Sequence, residues 1–224
     1  MFIHSSSFIP IELEPIMVEG RRLYPTPSGK QHPSITTVLG VCPKKKASLA
    51  KWKERVGQDK AQRISTRAST RGTNFHSIVE NYLNNCYNEE EHKGTPLPLL
   101  MFKSAIPTLN RINKVYLQEA ALFSDHLEIA GRVDCIGEFD GIPSVIDFKT
   151  STEEKKLSWI EDYFIQETAY ACMFYEMYKT RIQQLVTIIA CEDGNTQVFI
   201  EKPKKEYLEK LIYLRTLYQE KYGG

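Results

Sequence analysis

The segment GRVDCIGEFDGIPSVIDFKTS, residues 131–151, leaves the chain little choice of local structure, because Asp140-Gly141 stands between two runs of alternating character. A type I′ turn needs φ > 0 at both central residues. Asp-Gly meets that need at low steric cost, so a two-residue β-hairpin is predicted. Its register places Phe139 opposite Ile142, Glu138 opposite Pro143 and Asp134 opposite Asp147. Pro143 then falls at a non-hydrogen-bonded position, where its missing N–H costs nothing. Facing carboxylates with Cβ atoms about 4.5–5.5 Å apart repel unless positive charge lies between them, and a divalent cation is the simplest source. Lys149 shares the face of Asp147 by the period of two and brings an ammonium beside the same space. The competing reading is a charged, solvated hairpin face with no chemistry of its own.

Two amphipathic segments flank the hairpin. In TRASTRGTNFHSIVENYLNN, His76 and Glu80 lie four apart and share a helix face, with Arg71 about a turn and a half earlier. A histidine and a glutamate so placed can reach a metal, although a lone histidine is more often an ordinary half-buried one. In LSWIEDYFIQETAYACMFYEMY, Gln166 and Tyr170 share a face by the same spacing. The aromatics Tyr163, Phe164, Phe174 and Tyr178 on that helix read as core packing.

A net charge of +1 means that any nucleic-acid surface must come from local clustering. Residues 44–71 provide it: Lys44, Lys45, Lys46, Lys51, Lys53, Arg55, Lys60, Arg63, Arg67 and Arg71 face only Glu54 and Asp59, with Trp52 interleaved. Such a span can track a phosphate backbone, and DNA is the expected partner. Cys42, Cys86, Cys135, Cys172 and Cys191 are dispersed without a C-x-x-C pair, which argues against a zinc ribbon and a disulfide framework. No apolar run is long enough to span a bilayer, and no transit pattern opens the chain, so no membrane partner and a cytoplasmic location are expected.

With 42% hydrophobic residues, 224 residues can bury one substantial core, and a single domain spanning 1–224 is expected. Ser34 is a candidate N-cap for a short helix, ITTVLG. Helices are expected at about 46–60 and 62–87. A polar, mobile loop over 84–98 and a helix interrupted at Pro107 follow. Strands near 115–123, 129–138 and 144–150 precede the Gln166 helix, strands at 183–191 and 195–201, and a last helix opening at Pro203. The result is an α/β fold with a central mixed β-sheet flanked by helices: a mainly helical, DNA-holding region over 1–115 and a sheet-containing core over 116–224.

The order His-x-x-x-Glu, Gly-x-x-Asp, Asp-x-Lys-Thr-Ser and Gln-x-x-x-Tyr resembles the RecB-like branch of the PD-(D/E)XK nucleases, whose core is restriction-endonuclease-like. PSITTVLG at 33–40, RGTNFH at 71–76, QEAALFSDHLEIAGRVDCIG at 118–137 and VIDFKTS at 145–151 are most similar to the mitochondrial genome maintenance exonuclease type and its phage relatives. One departure is Val133, which stands where the family name has proline. The resemblance implies that Asp134, Asp147 and His76 bind one or two Mg²⁺ or Mn²⁺, with the Phe148 carbonyl as an extra ligand, and that Lys149 positions or activates water. It implies that Gln166 and Tyr170 support the site and contact the nucleic-acid backbone. Glu119 takes the acidic position of the preceding strand, and Glu80 is a helix glutamate near the site. Lys51, Trp52, Arg67 and Arg71 would hold the strand, with Thr150 and Ser151 on the substrate side. Relatives that hold an iron–sulfur cluster do so with clustered cysteines, so no cluster is expected here. The implied activity is a DNA exonuclease acting on single-stranded ends, phage-encoded, working as a monomer in a bacterial cytoplasm. An endonuclease of the same superfamily and a non-catalytic DNA-binding accessory protein are the alternatives.

Overall fold

The computed structural model describes residues 1–223. Asp140 and Gly141 adopt φ of 52° and 78°, the pair of left-handed conformations the turn requires. On either side run β6 (Ile129–Phe139) and β7 (Ile142–Ser151). Their register is the expected one from Phe139↔Ile142 through Glu138↔Pro143 to Cys135↔Ile146. Arg111 pins the turn with two bonds to the Asp140 carboxylate, at 3.1 and 2.6 Å. The ladder stops one pair short of Asp134 and Asp147. Asp134 Oδ2 instead accepts the Phe148 backbone N–H at 2.8 Å, so the two aspartates are not a ladder pair.

The hairpin belongs to a six-stranded sheet. β5 (Ile112–Ser124) pairs antiparallel with β6, β7 pairs parallel with β8 (Gln184–Cys191), and β8 pairs antiparallel with β9 (Thr196–Glu201). β1 (Ile3–His4) joins the far edge, parallel to β5. β8 is buried along its whole length and carries core side chains on both faces, as a covered strand should. Leu185 and Ile189 pack on one side with α1 (Ile35–Leu39), α5 (Glu161–Tyr178) and α6 (Lys205–Tyr222). Val186 and Ile188 pack on the other with α3 (Gln58–Leu83) and α4 (Pro96–Leu109). The architecture is a central mixed sheet between two helical layers.

Several expectations shift. The first thirty-three residues, expected as a strand and turns, hold four strands: β1 is part of the main sheet, and β2 (Ile16–Val18), β3 (Arg21–Pro25) and β4 (Gln31–Pro33) form a second, three-stranded sheet. Ser34 does cap α1, accepting the Thr37 N–H at 3.1 Å. α4 is not interrupted at Pro107, because that residue sits in the last turn on the exposed side. There the unpaired carbonyl four residues back can reach water. α6 begins at Lys205, not Pro203. α2 (Pro43–Val56), the first of the basic helices, buries none of its residues.

Candidate active site

α3 carries His76 over the sheet, and one turn earlier a Cβ on Gly72 would lie 3.8 Å from the Thr150 hydroxyl at the end of β7, in ordinary contact. On β5, Gln118↔Cys135 and Ala120↔Val133 are paired while Glu119 is not. Glu119 has φ of 45°, a left-handed conformation unusual for a non-glycine strand residue and of a kind that clusters at functional sites. The Arg132 guanidinium holds the Glu119 carbonyl at 2.8 Å. Thus re-aimed, Glu119 Oε1 lies 3.9 Å from His76 Nδ1, and Asp134 Oδ1 lies 3.7 Å from the same nitrogen. His76, Glu119 and Asp134 each offer one ligand atom, all within 4.8 Å of one another. A cavity of about 390 Å³ opens beside them, lined by Gly72, Thr73, His76, Ser77, Glu80 and Glu119.

Charge follows the geometry. Burial opposes the imidazolium of His76, but Asp134 and Glu119 outweigh it and lift the group to about 9. Asp147, 2% exposed, is pushed up to about 6 by burial, against the pull of Lys149. Its Oδ2 lies against the Lys149 ammonium, without a hydrogen bond of ordinary geometry. Burial also disfavours the Lys149 charge, yet Asp147 and Asp134 overcome it and hold the group above the usual lysine range. The ring of Tyr163 sits 5.3 Å from that ammonium. Burial and the neighbouring Glu119 push Glu80 up. A group of carboxylates around a histidine, with a buried and underbonded aspartate oxygen alongside, fits a divalent cation. Oxygen donors with one imidazole suit Mg²⁺ or Mn²⁺.

The remaining residues named from sequence divide by place. Tyr170 is buried, and its hydroxyl donates to the Arg132 carbonyl at 2.7 Å; a Cβ at Gly131 would come within 3.0 Å of its ring. Tyr170 therefore braces the Gly-x-x-Asp segment rather than facing solvent, with Gln166 half-buried one turn before it. The Phe148 side chain is in the core, edge-on to His76 at 6.4 Å between centroids. Arg71 is buried, paired with Glu192 and bonded to the Thr150 hydroxyl at 3.1 Å. Ser151 is buried as well, its hydroxyl turned to the Glu153 backbone. Neither is free at the surface as a substrate contact. Arg67 is exposed and joins Glu192 at 2.9 Å, Lys51 is exposed, and Trp52 is half-buried on α2.

Three participants were not read from sequence. Glu192, in the turn after β8, gathers Arg67 and Arg71, and only an acidic turn, CEDGNT, hinted at it. Arg132 was hidden inside the Gly-x-x-Asp motif. Glu167 is fully buried on α5 and accepts a hydrogen bond from the Thr187 hydroxyl. Burial and then Asp147 push its carboxyl well up.

A histidine, two carboxylates and a Lys-paired aspartate thus meet on a mixed sheet, an arrangement consistent with a PD-(D/E)XK exonuclease-like relationship. Comparison with known proteins points the same way. The chain is 30% identical over 175 residues to mitochondrial genome maintenance exonuclease 1 of Mus musculus, covering 73% of this chain and 51% of that protein. It is 28% identical over 174 residues to the Homo sapiens protein of the same name, covering 73% and 50%. These similarities support a PD-(D/E)XK exonuclease-like relationship, and the chain spans about half the length of the curated relatives it matches. No protein-family model matches. A solved structure from Eubacterium rectale, described as a candidate exonuclease, overlaps 68% of each chain with a TM-score of 0.47 at 11% identity, an overlap too loose to bear on function.

Proposed function

We propose that the protein is a divalent-metal-dependent deoxyribonuclease that removes nucleotides from single-stranded DNA ends. The observation that carries this reading is the convergence of His76, Glu119 and Asp134 within 4.8 Å beside the Lys149–Asp147 pair. Those three side chains would hold the ion, and Asp147 would complete the negative wall of the site. A divalent cation so held supplies Lewis acidity to a phosphate oxygen and acidifies water. Asp147 and Asp134 favour the charged form of Lys149, whose ammonium would stabilise the charge that grows on the scissile phosphate. Asp134 is oriented for ligation by the Phe148 N–H. The exposed cations of α2 and the first half of α3, Lys51 and Arg67 among them, attract the backbone. Arg71 and Thr150 lock α3 to the end of β7.

The test is digestion of end-labelled single-stranded DNA, linear against circular, with Mg²⁺, Mn²⁺ or chelator. Metal-dependent loss of linear DNA alone is the expected result. Cutting of both forms would make the enzyme an endonuclease, and cutting of neither would remove the nuclease reading. No helix among the described residues is long and apolar enough to cross a membrane.

A further inference from the structure

The connection from β7 to α5 carries an exposed tryptophan beside an exposed leucine. Leu157 and Trp159 are 53% and 58% exposed, while Ile160 beside them is buried and anchors the turn. The Trp159 N–H donates to the Lys156 carbonyl at 2.9 Å, and the Lys156 ammonium lies 5.4 Å from the centre of the indole. Tyr163, four residues on, is the ring that lies by the Lys149 ammonium. Four residues span at most about 14 Å between Cα atoms, so Trp159 and Tyr163 share the entry to α5. Asp162, next to Tyr163, pairs with Lys45 at 3.0 Å and ties the basic helix α2 to this end of α5. A large flat ring, backed by a cation and more than half in solvent, thus stands at the entry to the helix whose Tyr163 reaches the site and whose Asp162 ties down the basic helix α2.

We propose that Trp159 is a stacking platform for a nucleobase of the single-stranded substrate, with Leu157 and Lys156 flanking the base. The inference rests on the nuclease reading and gives it a basis for strand preference. Every base offers a π-face to an aromatic side chain, and only an unpaired strand leaves that face free. Glu153 and Glu154 offset Lys155 and Lys156, so the contact here comes from the ring rather than from net charge.

Binding of a labelled 12-nucleotide single strand, and of the same strand with abasic sites, is measured by fluorescence anisotropy in Ca²⁺ for the wild type, Trp159→Ala and Trp159→Phe. Mg²⁺-dependent hydrolysis by the wild type is followed in parallel. Trp159→Ala should weaken binding of the ordinary strand about tenfold, Trp159→Phe should restore most of it, and the abasic strand should not distinguish Trp159→Ala from the wild type. Equal binding by Trp159→Ala and the wild type, or an equal loss on ordinary and abasic strands, would overturn the platform. If the wild type still hydrolyses DNA in that case, only the platform fails. If it neither binds nor hydrolyses, the nuclease reading fails with it.

Discussion

Gly131→Ala isolates the coupling between the Gly-x-x-Asp segment and the helix that braces it. A Cβ there would lie 3.0 Å from both Cε1 and the hydroxyl of Tyr170 and 3.1 Å from Ile35 Cγ2. All three atoms belong to buried side chains. Overpacking of this kind costs about 1–3 kcal/mol. Restricting the unfolded chain returns ~0.4–1 kcal/mol. The net loss is about 1–2 kcal/mol, or a Tm lower by roughly 2–8 °C at ~2–4 °C per kcal/mol for a chain of this size. The assay is thermal and urea unfolding of four proteins: wild type, Gly131→Ala, Tyr170→Ala and the double variant. With Tyr170 truncated, the new methyl has room, so the cost of Gly131→Ala should fall towards zero and the cycle should show coupling. Equal losses in both backgrounds, or a stabilising effect in the wild type, would refute the packing argument. The same substitution should weaken metal binding. Tyr170 holds the Arg132 carbonyl, and the Arg132 side chain holds that of Glu119.

Other consequences follow from the same geometry. Glu119→Gln should raise the metal concentration for half-maximal cleavage at least ~10-fold, since it removes an aimed ligand where even supporting partners cost that much; an unchanged metal titration would return Glu119 to an ordinary strand residue. Lys149→Ala should abolish turnover while calorimetry still shows metal binding, and loss of binding instead would mean that its role is misjudged. Arg71→Ala leaves Glu192 only the exposed Arg67. Breaking a buried pair costs ~3–5 kcal/mol, reduced here to about 2 kcal/mol because Glu192 is partly solvated and keeps one partner. Denaturant unfolding should show that loss, and an unaltered midpoint would mean that the pair is energetically idle. In chelator, the His76 group, raised to about 9 from an unfolded value near 6.5, contributes stability that is fully present below about 6.5 and lost as pH rises through about 9. The Tm difference between wild type and His76→Gln should therefore be larger at pH 6 than at pH 9.5, and a pH-independent difference would contradict the charge assignment.

The hairpin was legible because one dipeptide fixes its turn, and the turn fixes the register of all five pairs in the β6–β7 ladder. The short-range pairs on helices were legible for the same reason, since spacing alone puts His76 and Glu80 on one face. What escaped reading depends on long-range or irregular structure. The left-handed backbone at Glu119 breaks the period of two, so strand alternation could not show that this carboxylate joins Asp134 beside His76. Arg71 reads as a free cation beside the site, yet a glutamate 121 positions later captures it. The burial of Tyr170 and Ser151 likewise follows from packing against Gly131 and from the turn after β7. Pro107 shows the opposite error: a reliable helix breaker is tolerated in a last turn that faces water.

The most direct test of the central claim is anomalous diffraction from crystals soaked in Mn²⁺. The account predicts a Mn²⁺ peak within bonding distance of His76, Glu119 and Asp134 and adjacent to the Asp147–Lys149 pair, lost in Asp134→Asn together with DNA cleavage. A protein that cleaves DNA with no ordered Mn²⁺ there, or with the ion bound by a different set of side chains, would contradict it.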